Sequence, residues 1–512
     1  MKTKKFIYNF LTDIIPLIII SLLGIYKVKL FIQFLGNETL GLYNLFSRIM
    51  IYVALVDGGL SSGVLYSLYK PNTDNDHKKF NAILAGSFKV FSLIGAIVFT
   101  IAFLISFAVP FLIKDTTFDY SYVVITFLLF AINNVIGYFF VPYKELLEVK
   151  EKKYIYNIIN QSGQIVLSIS EIIMLVLHCN FELILIMHFV VKLIARLIEA
   201  IVCKKMYPEV KITQKDKNYE FKRHTKSLLV HKINGLISSN IDVILLSSFI
   251  GLEAVAIYST YSYIITMLKN ILGKLTSSMT AIIGNLLAKT KEKSYELYKE
   301  FNSTLFYIAI IICTPLTLAI NGFIDIFYEN EIYTSSLIAI SFVAWLFTFI
   351  IKINTTMFVS AGGLYKETQY CAIVDTIVNL ILSFVLLQFV GISGVVIATA
   401  LAAFIGEYGL KSKVVHNKLF NMSSKKYHLN NIKFIILYVL DLLLGYQIIS
   451  LFTINNLLVW FVTFTTYTIT NAILIYLIFK LLKEDRFTSR FKWLIKEKLL
   501  QKRKEILNEN KS

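Results

Sequence analysis

The chain has 512 residues, of which 56% are apolar and only 16% are charged, and its mean hydropathy is +0.66. A soluble chain of this length would normally divide into several domains with polar linkers, whereas here long apolar runs recur throughout. The composition therefore indicates an all-α polytopic membrane protein. The net charge of +18 could suggest nucleic-acid binding. We attribute it to loops beside anionic lipid and expect no nucleic-acid partner.

Fourteen apolar segments follow one another, and each is long enough to cross a bilayer, which takes roughly 20 residues. The first begins after Lys2, Lys4 and Lys5 and lacks a cleavage site, so we interpret it as a retained span. Very short junctions near 36–39, 179–181, 251–253 and 390 predict tight hairpins. The segments are 10–35, 40–68, 83–113, 120–143, 154–178, 181–203, 227–250, 254–288, 302–325, 333–360, 367–389, 391–410, 432–453 and 456–481.

The distribution of basic residues predicts the orientation. Lys and Arg concentrate in the N-terminus, in alternate loops and in the C-terminal tail, whereas the opposite loops contain a single base, Lys114. Those opposite loops contain acids instead, among them Glu38 and Glu253. Because basic loops stay on the cytoplasmic side, both termini are predicted to be cytoplasmic, which requires an even number of spans.

A decapeptide pattern occurs twice, 215 residues apart. Phe34–Tyr43 reads FLGNETLGLY and Phe249–Tyr258 reads FIGLEAVAIY, and the same offset continues through Ser47 and Ser262. Each copy joins two long apolar segments at a predicted external turn. The repeat therefore predicts two similar helical halves in the same orientation, as expected for a transporter.

These patterns predict two six-helix bundles related by a parallel repeat, followed by two C-terminal helices. The N-terminal bundle is predicted over 1–203, a cytoplasmic linker over 204–226 and the second bundle over 227–410. A cytoplasmic loop over 411–431 leads to helices 13 and 14 over 432–482. The basic tail over 483–512 has apolar residues at helical spacing and is either an amphipathic helix on the inner membrane surface or a solvated tail.

Three patches of sequence resemble one known group of transporters. The first runs from Phe34 to Lys70 and contains FLG-x-E-x-x-G-x-Y followed by Asp57-Gly58-Gly59. The others are FVSAGGLYK over 358–366 and GISGVVIAT over 391–399. They are similar to bacterial O-antigen, capsule and exopolysaccharide repeat-unit flippases. That family belongs to the multidrug/oligosaccharidyl-lipid/polysaccharide exporter superfamily.

The resemblance implies a function in surface polysaccharide assembly. A member of this family would carry an undecaprenyl-pyrophosphate-linked oligosaccharide across the bacterial cytoplasmic membrane. Membrane lipids would surround it, and a polysaccharide polymerase and glycosyltransferases would be its partners. The resemblance covers nearly the whole chain, but its motifs consist mostly of small and apolar residues. It therefore implies the superfamily more specifically than the sugar.

Basic residues inside the spans suggest where an anionic substrate binds. Lys27 precedes the first decapeptide turn by about as many residues as Arg48 follows it, so antiparallel helices would place both cations at one depth. Arg can donate two hydrogen bonds in bidentate geometry and Lys provides a compact positive charge, a combination that suits a diphosphate. The resemblance also implies a cationic cavity with bases on spans 1, 2 and 8, where Lys27, Arg48 and Lys269 lie. The alternative is that these bases pair with acids or reach the interface.

Acids inside the spans have several interpretations. Asp57, Asp242 and Asp375 could bind a coupling ion, H⁺ or Na⁺, or form salt bridges that stabilise one conformation, and Asp57 could also mark a helix break near the inner end of its span. Asp242 occupies the repeat position of Lys27, so a pairing of these two residues across the cavity is one hypothesis. Similar alternatives hold for Glu171 and Asp441, whereas Lys192, Arg196 and Glu199, on one face of span 6, are predicted to form an internal ion pair and an anchor at the inner interface.

Other function classes fit the sequence less well. The four cysteines have no paired spacing, so neither a disulfide framework nor a metal site is predicted, and no cofactor is expected. A membrane enzyme would need a cluster of catalytic groups at a leaflet, and the spacing of the seven histidines predicts no such cluster with acids. The main alternative is a drug or metabolite exporter of the same superfamily, coupled to Na⁺ or H⁺. The bases at Lys27 and Arg48 argue against it, because such a site would favour acids.

Overall fold

The computed structural model of the protein describes residues 2–54, 60–212, 216–221, 240–287, 291–450, 452 and 454–485. Within those ranges the chain is almost entirely helical and contains no β-strand. The helices are α1 (Lys2–Val53), α2 (Leu60–Thr73), α3 (His77–Ser106), α4 (Tyr120–Val135), α5 (Val141–Val149), α6 (Lys153–Val176), α7 (Phe181–Met206), α8 (Asn240–Phe249), α9 (Leu252–Leu287), α10 (Lys291–Phe327), α11 (Ser336–Gly362), α12 (Gln369–Ala403), α13 (Lys411–Val415), α14 (Lys425–Ile449) and α15 (Leu457–Leu481).

Nine of the described helical stretches are long and apolar enough to cross a membrane. Each of the fourteen predicted segments overlaps a helix, and the stretches Ile18–Val53 and Gln369–Phe420 each overlap two of them. The prediction of an all-α polytopic membrane protein is therefore confirmed. The helix after Gly391 continues to Phe420, beyond its predicted end at 410, because Val414, Val415 and Phe420 extend its buried face.

The chain reverses direction at Gly36, inside α1. Gly36 has φ 82° and ψ 166°, a conformation that side chains other than glycine rarely adopt. A continuous helix would separate Lys27 from Tyr43 by about 24 Å. Instead, the Lys27 Nζ lies 5.7 Å from the centre of the Tyr43 ring. The two arms of α1 therefore form the tight hairpin that the sequence predicts at 36–39.

The other predicted hairpins are also present. Gly251, at the repeat position of Gly36, has φ 128°, and the Tyr258 hydroxyl beyond it lies 2.9 Å from Asp242 before it. Gly391 has φ 58° inside α12, where Asn379 donates to the Thr399 hydroxyl across the turn at 3.0 Å. The reversal between α6 and α7 follows His178, which has φ 54°.

Residue contacts divide the chain into two compact units, Met1–Ile264 and Ile265–Ser512. The first unit is packed around buried aromatic rings such as Phe46 and Phe127, whose centroids lie 5.2 Å apart. In the second, Phe306 stacks on Phe434 with centroids 4.9 Å apart. The boundaries proposed from sequence for the bundles, the linker and the loop remain predictions. The predicted amphipathic tail lies outside the described residues beyond 485.

Candidate functional site

Lys27 lies in a buried charge cluster of the first unit. Its Nζ is 3.1 Å from Glu171 Oε2 on α6, and His188 Nε2 on α7 is 3.1 Å from the same oxygen. The Glu171 side chain is fully buried, whereas that of Lys27 is 20% exposed. The structure thus pairs Lys27 with Glu171 rather than with Asp242.

The packing of three helices explains why this cluster forms. Phe31, one turn beyond Lys27, meets Phe181 at the start of α7 with centroids 6.0 Å apart. Phe34 packs edge-on to His178 at 4.6 Å. Gly163 on α6 faces Ala195 on α7 closely enough that a Cβ there would lie 3.2 Å from the Ala195 Cβ. These contacts hold α6 and α7 against the first arm of α1, so Glu171 and His188 reach Lys27.

Arg48 lies on the second arm of α1 and faces α8. Its Nη1 donates to Asn240 Oδ1 at 2.9 Å. Two residues along α8, Asp242 is 2% exposed and accepts from the Tyr258 hydroxyl at 2.9 Å. Arg48 is half-buried, and its guanidinium has more donors than Asn240 uses.

The two copies of the repeat correspond residue by residue in this region. Lys27 faces Tyr43 in the first copy, and Asp242 faces Tyr258 at the same offset in the second. Tyr263 takes the position of Arg48, and its hydroxyl lies 3.4 Å from the Ser21 carbonyl on α1. The backbone arrangement is therefore repeated, while cations in the first copy are replaced by an acid and a phenol in the second.

A second group of cations borders a cavity of about 360 Å³ in the first unit. Lys144 and Arg196 both approach the Tyr156 ring, each 5.5 Å from its centre. Arg196 also pairs with Glu199 at 2.6 Å, as the sequence predicts, and donates to Asn160 at 2.7 Å. Ser47, Met50, Ile51 and Ala54 line the same cavity from the arm of α1 that contains Arg48.

Lys144 is a cavity residue that the sequence does not single out. It lies just outside a predicted span, so the sequence pattern places it among the loop bases that set the orientation. One feature of the sequence could have identified Lys144: it lies two residues after Pro142. Pro142 is in the first turn of α5 and marks a junction inside the apolar stretch Tyr120–Val149. A base next to a helix break in a membrane protein can reach an internal cavity.

The remaining predicted site residues lie in the second unit or outside the described residues. Lys269 on α9 places its Nζ over the Trp345 ring, 2.8 Å from the centre, and 5.3 Å from that of Phe349. Asp375 is half-buried on α12 and packs against Gly406. Asp57 falls between Ala54 and Leu60, outside the residues that the structure describes.

A cavity of about 430 Å³ in the second unit is also lined by charge. Lys352 and Glu407 both border it, with 3.8 Å between Nζ and Oε2, and Lys411 pairs with the same carboxylate at 2.5 Å. Across the described parts of the chain, no group of three or more His, Cys, Asp or Glu could hold a metal ion. The charged side chains that line this cavity form ion pairs with one another.

Several solved structures share this fold. That of a lipid II flippase, MurJ, in an inward closed conformation has a TM-score of 0.66 and 18% identity, over 93% of this chain and 99% of that one. An inward-facing multidrug resistance MATE family transporter of the MOP superfamily has a TM-score of 0.56 at 15% identity, over 78% and 96%. The MATE multidrug transporter DinF-BH in complex with a ligand has a TM-score of 0.55 and 13% identity, over 81% of this chain and 97% of that one.

These identities are low, and they establish the fold rather than the activity. No protein-family model matches the chain, and no curated protein matches it. The chain is a multi-pass membrane protein with the fold that MurJ shares with MATE transporters.

Proposed function

We propose that this protein is a flippase that moves an undecaprenyl-pyrophosphate-linked oligosaccharide across the bacterial cytoplasmic membrane by alternating access. Both termini would be cytoplasmic, and the product would be used in surface polysaccharide assembly by a polymerase, after glycosyltransferases had built the repeat unit. The fold similarity to a lipid II flippase over 93% of the chain supports this reaction class.

The observation that carries the proposal is the pair of half-buried cations on the two arms of α1. Lys27 is held by one buried acid, and Arg48 is held by one amide. A diphosphate carries more negative charge than a single carboxylate and offers several acceptor oxygens. It would therefore compete with Glu171 for Lys27 and use the remaining donors of Arg48.

This exchange of partners suits a carrier that must release its substrate. In the empty protein, Glu171 and Asn240 would satisfy the two cations and limit the penalty of burying charge. When the diphosphate leaves on the other side, the same groups would return to Lys27 and Arg48. The lipid tail would stay in the bilayer throughout, beside the exposed apolar faces of the helices.

The test is export in the source bacterium with the chromosomal gene deleted. Complementation with Arg48→Ala should lose most surface polysaccharide, and Arg48→Lys should retain part of it because the charge remains without the bidentate geometry. Immunoblots of the membrane fraction must show normal protein levels. Full export by Arg48→Ala at normal levels would contradict the role of Arg48.

The second candidate is a cation-coupled drug or metabolite exporter. The similarity to the ligand-bound multidrug transporter supports it at the level of the fold. The deletion strain discriminates between the two: loss of resistance to organic cations with intact surface polysaccharide would favour the exporter.

A further inference from the structure

The last two helices, α14 and α15, border a cavity of about 390 Å³ in the second unit, and several of its lining side chains, among them Leu444 and Phe452, are also exposed at the surface. Its walls are mostly apolar, with Leu444, Ile448 and Phe452 among them. One charged side chain lines it, that of Asp441 in the middle of α14. A cavity of this size can enclose a small organic molecule.

The partners of Asp441 are neutral. Asn471 on α15 donates to Asp441 Oδ2 at 3.2 Å, and the hydroxyl of Thr314 lies beside the carboxyl group. Asp441 is 4% exposed, and within the described ranges no Lys or Arg forms an ion pair with it. The described residues that line the cavity include no base.

Three other acids in the spans have a base beside them, whereas buried Glu145 and Asp242 accept from hydroxyl groups. Glu171 has Lys27, Glu199 has Arg196 and Glu407 has Lys411. A carboxylate buried in a membrane protein is costly without a compensating cation. Among the described residues, Asp441 has hydrogen-bond donors beside it but no positive charge. The neighbouring cavity is large enough for a ligand that could supply that charge.

The walls indicate what kind of cation would fit. Leu444, Ile448 and Phe452 offer apolar surface, and Thr466 and Tyr467 add polar atoms from α15. A hydrated metal ion would gain little from such walls, whereas a cation whose charge is surrounded by apolar groups would gain both burial and ion pairing. An anionic diphosphate would be repelled.

We propose that the cavity between α14 and α15 binds a lipophilic organic monocation, with the Asp441 carboxylate as its counter-ion. This site is separate from the cationic residues of the proposed flippase. It would take a ligand of the opposite charge, as a transported or an inhibitory compound. The inference does not depend on the identity of the flipped lipid.

The experiment measures equilibrium binding of radiolabelled tetraphenylphosphonium to the full-length protein in lipid nanodiscs, with protein-free nanodiscs subtracted. Tetraphenylborate serves as a probe of similar size and opposite charge. The variants are Asp441→Asn, which keeps the shape of the side chain, and Thr466→Phe, which fills the cavity and keeps the acid. Asp325→Asn is the matched control, because Asp325 bonds Thr334 at the end of α10, away from the cavity.

We expect saturable binding of tetraphenylphosphonium that is at least tenfold weaker in Asp441→Asn and in Thr466→Phe, and unchanged in Asp325→Asn. Tetraphenylborate should bind the protein no more than empty nanodiscs. Equal binding of the cation by Asp441→Asn would overturn the proposal, and so would equal binding of both probes, which would mark an apolar cavity indifferent to charge. If Asp441→Asn does not fold, unchanged binding by Thr466→Phe would overturn it as well.

Discussion

The two copies of the repeat share a backbone turn but differ in the charged residues beside it. Gly36 and Gly251 both turn the chain with positive φ, and Tyr43 and Tyr258 both face the residue sixteen positions earlier. That residue is Lys27 in the first copy and Asp242 in the second. The hairpin is therefore the same in both copies, while the residue that faces the tyrosine is a cation in one and an acid in the other. A symmetric scaffold can thus provide an asymmetric binding surface.

Packing between the copies is also unequal. A Cβ on Gly41 would overlap the carbonyl oxygen of Leu252, so the first copy needs glycine for the close approach of the second arm of α1 to α9. Ala256 occupies the equivalent position in the second copy and is fully buried. The repeat positions thus tolerate different residues according to what each arm contacts.

The largest expected effect comes from breaking the buried pair of the first copy. Lys27→Met should lower the free energy of unfolding by about 3–5 kcal/mol, because it leaves the Glu171 carboxylate buried with only His188 beside it. Unfolding of the detergent-solubilised protein by denaturant would measure the loss. The double variant with Glu171→Gln should recover most of it, and equal losses in the single and double variants would mean that the pair does not stabilise the fold.

The two repeated tyrosines provide a matched comparison of intermediate size. Tyr258→Phe removes a hydrogen bond to the buried Asp242 and should cost about 1.5–3 kcal/mol. Tyr43→Phe keeps the ring that lies 5.7 Å from the Lys27 ammonium, so it should lower the free energy of unfolding clearly less than Tyr258→Phe does. The same unfolding assay applies to both variants. Equal losses would contradict the difference in chemistry between the copies.

The two turn glycines should show smaller effects than the loss of the buried pair. Gly36→Ala and Gly251→Ala each place a side chain in a conformation that favours glycine, which costs about 1–3 kcal/mol. The loss should be greater at Gly251, because its new Cβ would lie 3.2 Å from the Lys114 carbonyl, whereas nothing lies within 4 Å at Gly36. Thermal unfolding midpoints of the two variants would measure the order, and a greater loss at Gly36 would contradict it.

The hairpins could be predicted because their signals are local. Short junctions with glycine separate long apolar runs at 36, 251 and 391, and the structure turns at each. The partner of Lys27 could not be predicted, since Glu171 lies on α6 and helical periodicity gives a face without naming the neighbouring helix. The contact of Lys269 with Trp345 and the exposure of Lys144 to a cavity likewise depend on tertiary packing.

The most direct test of the account compares the two repeat positions that differ most, Arg48 and Tyr263. Binding of undecaprenyl diphosphate to the purified protein would be titrated by native mass spectrometry for Arg48→Leu and Tyr263→Leu. Loss of a charge-assisted contact of about 1.5–3 kcal/mol predicts binding roughly 10- to 100-fold weaker in Arg48→Leu. Binding by Tyr263→Leu should stay close to that of the unmodified protein. Equal affinities of the two variants would contradict the claim that the first copy supplies the anion site.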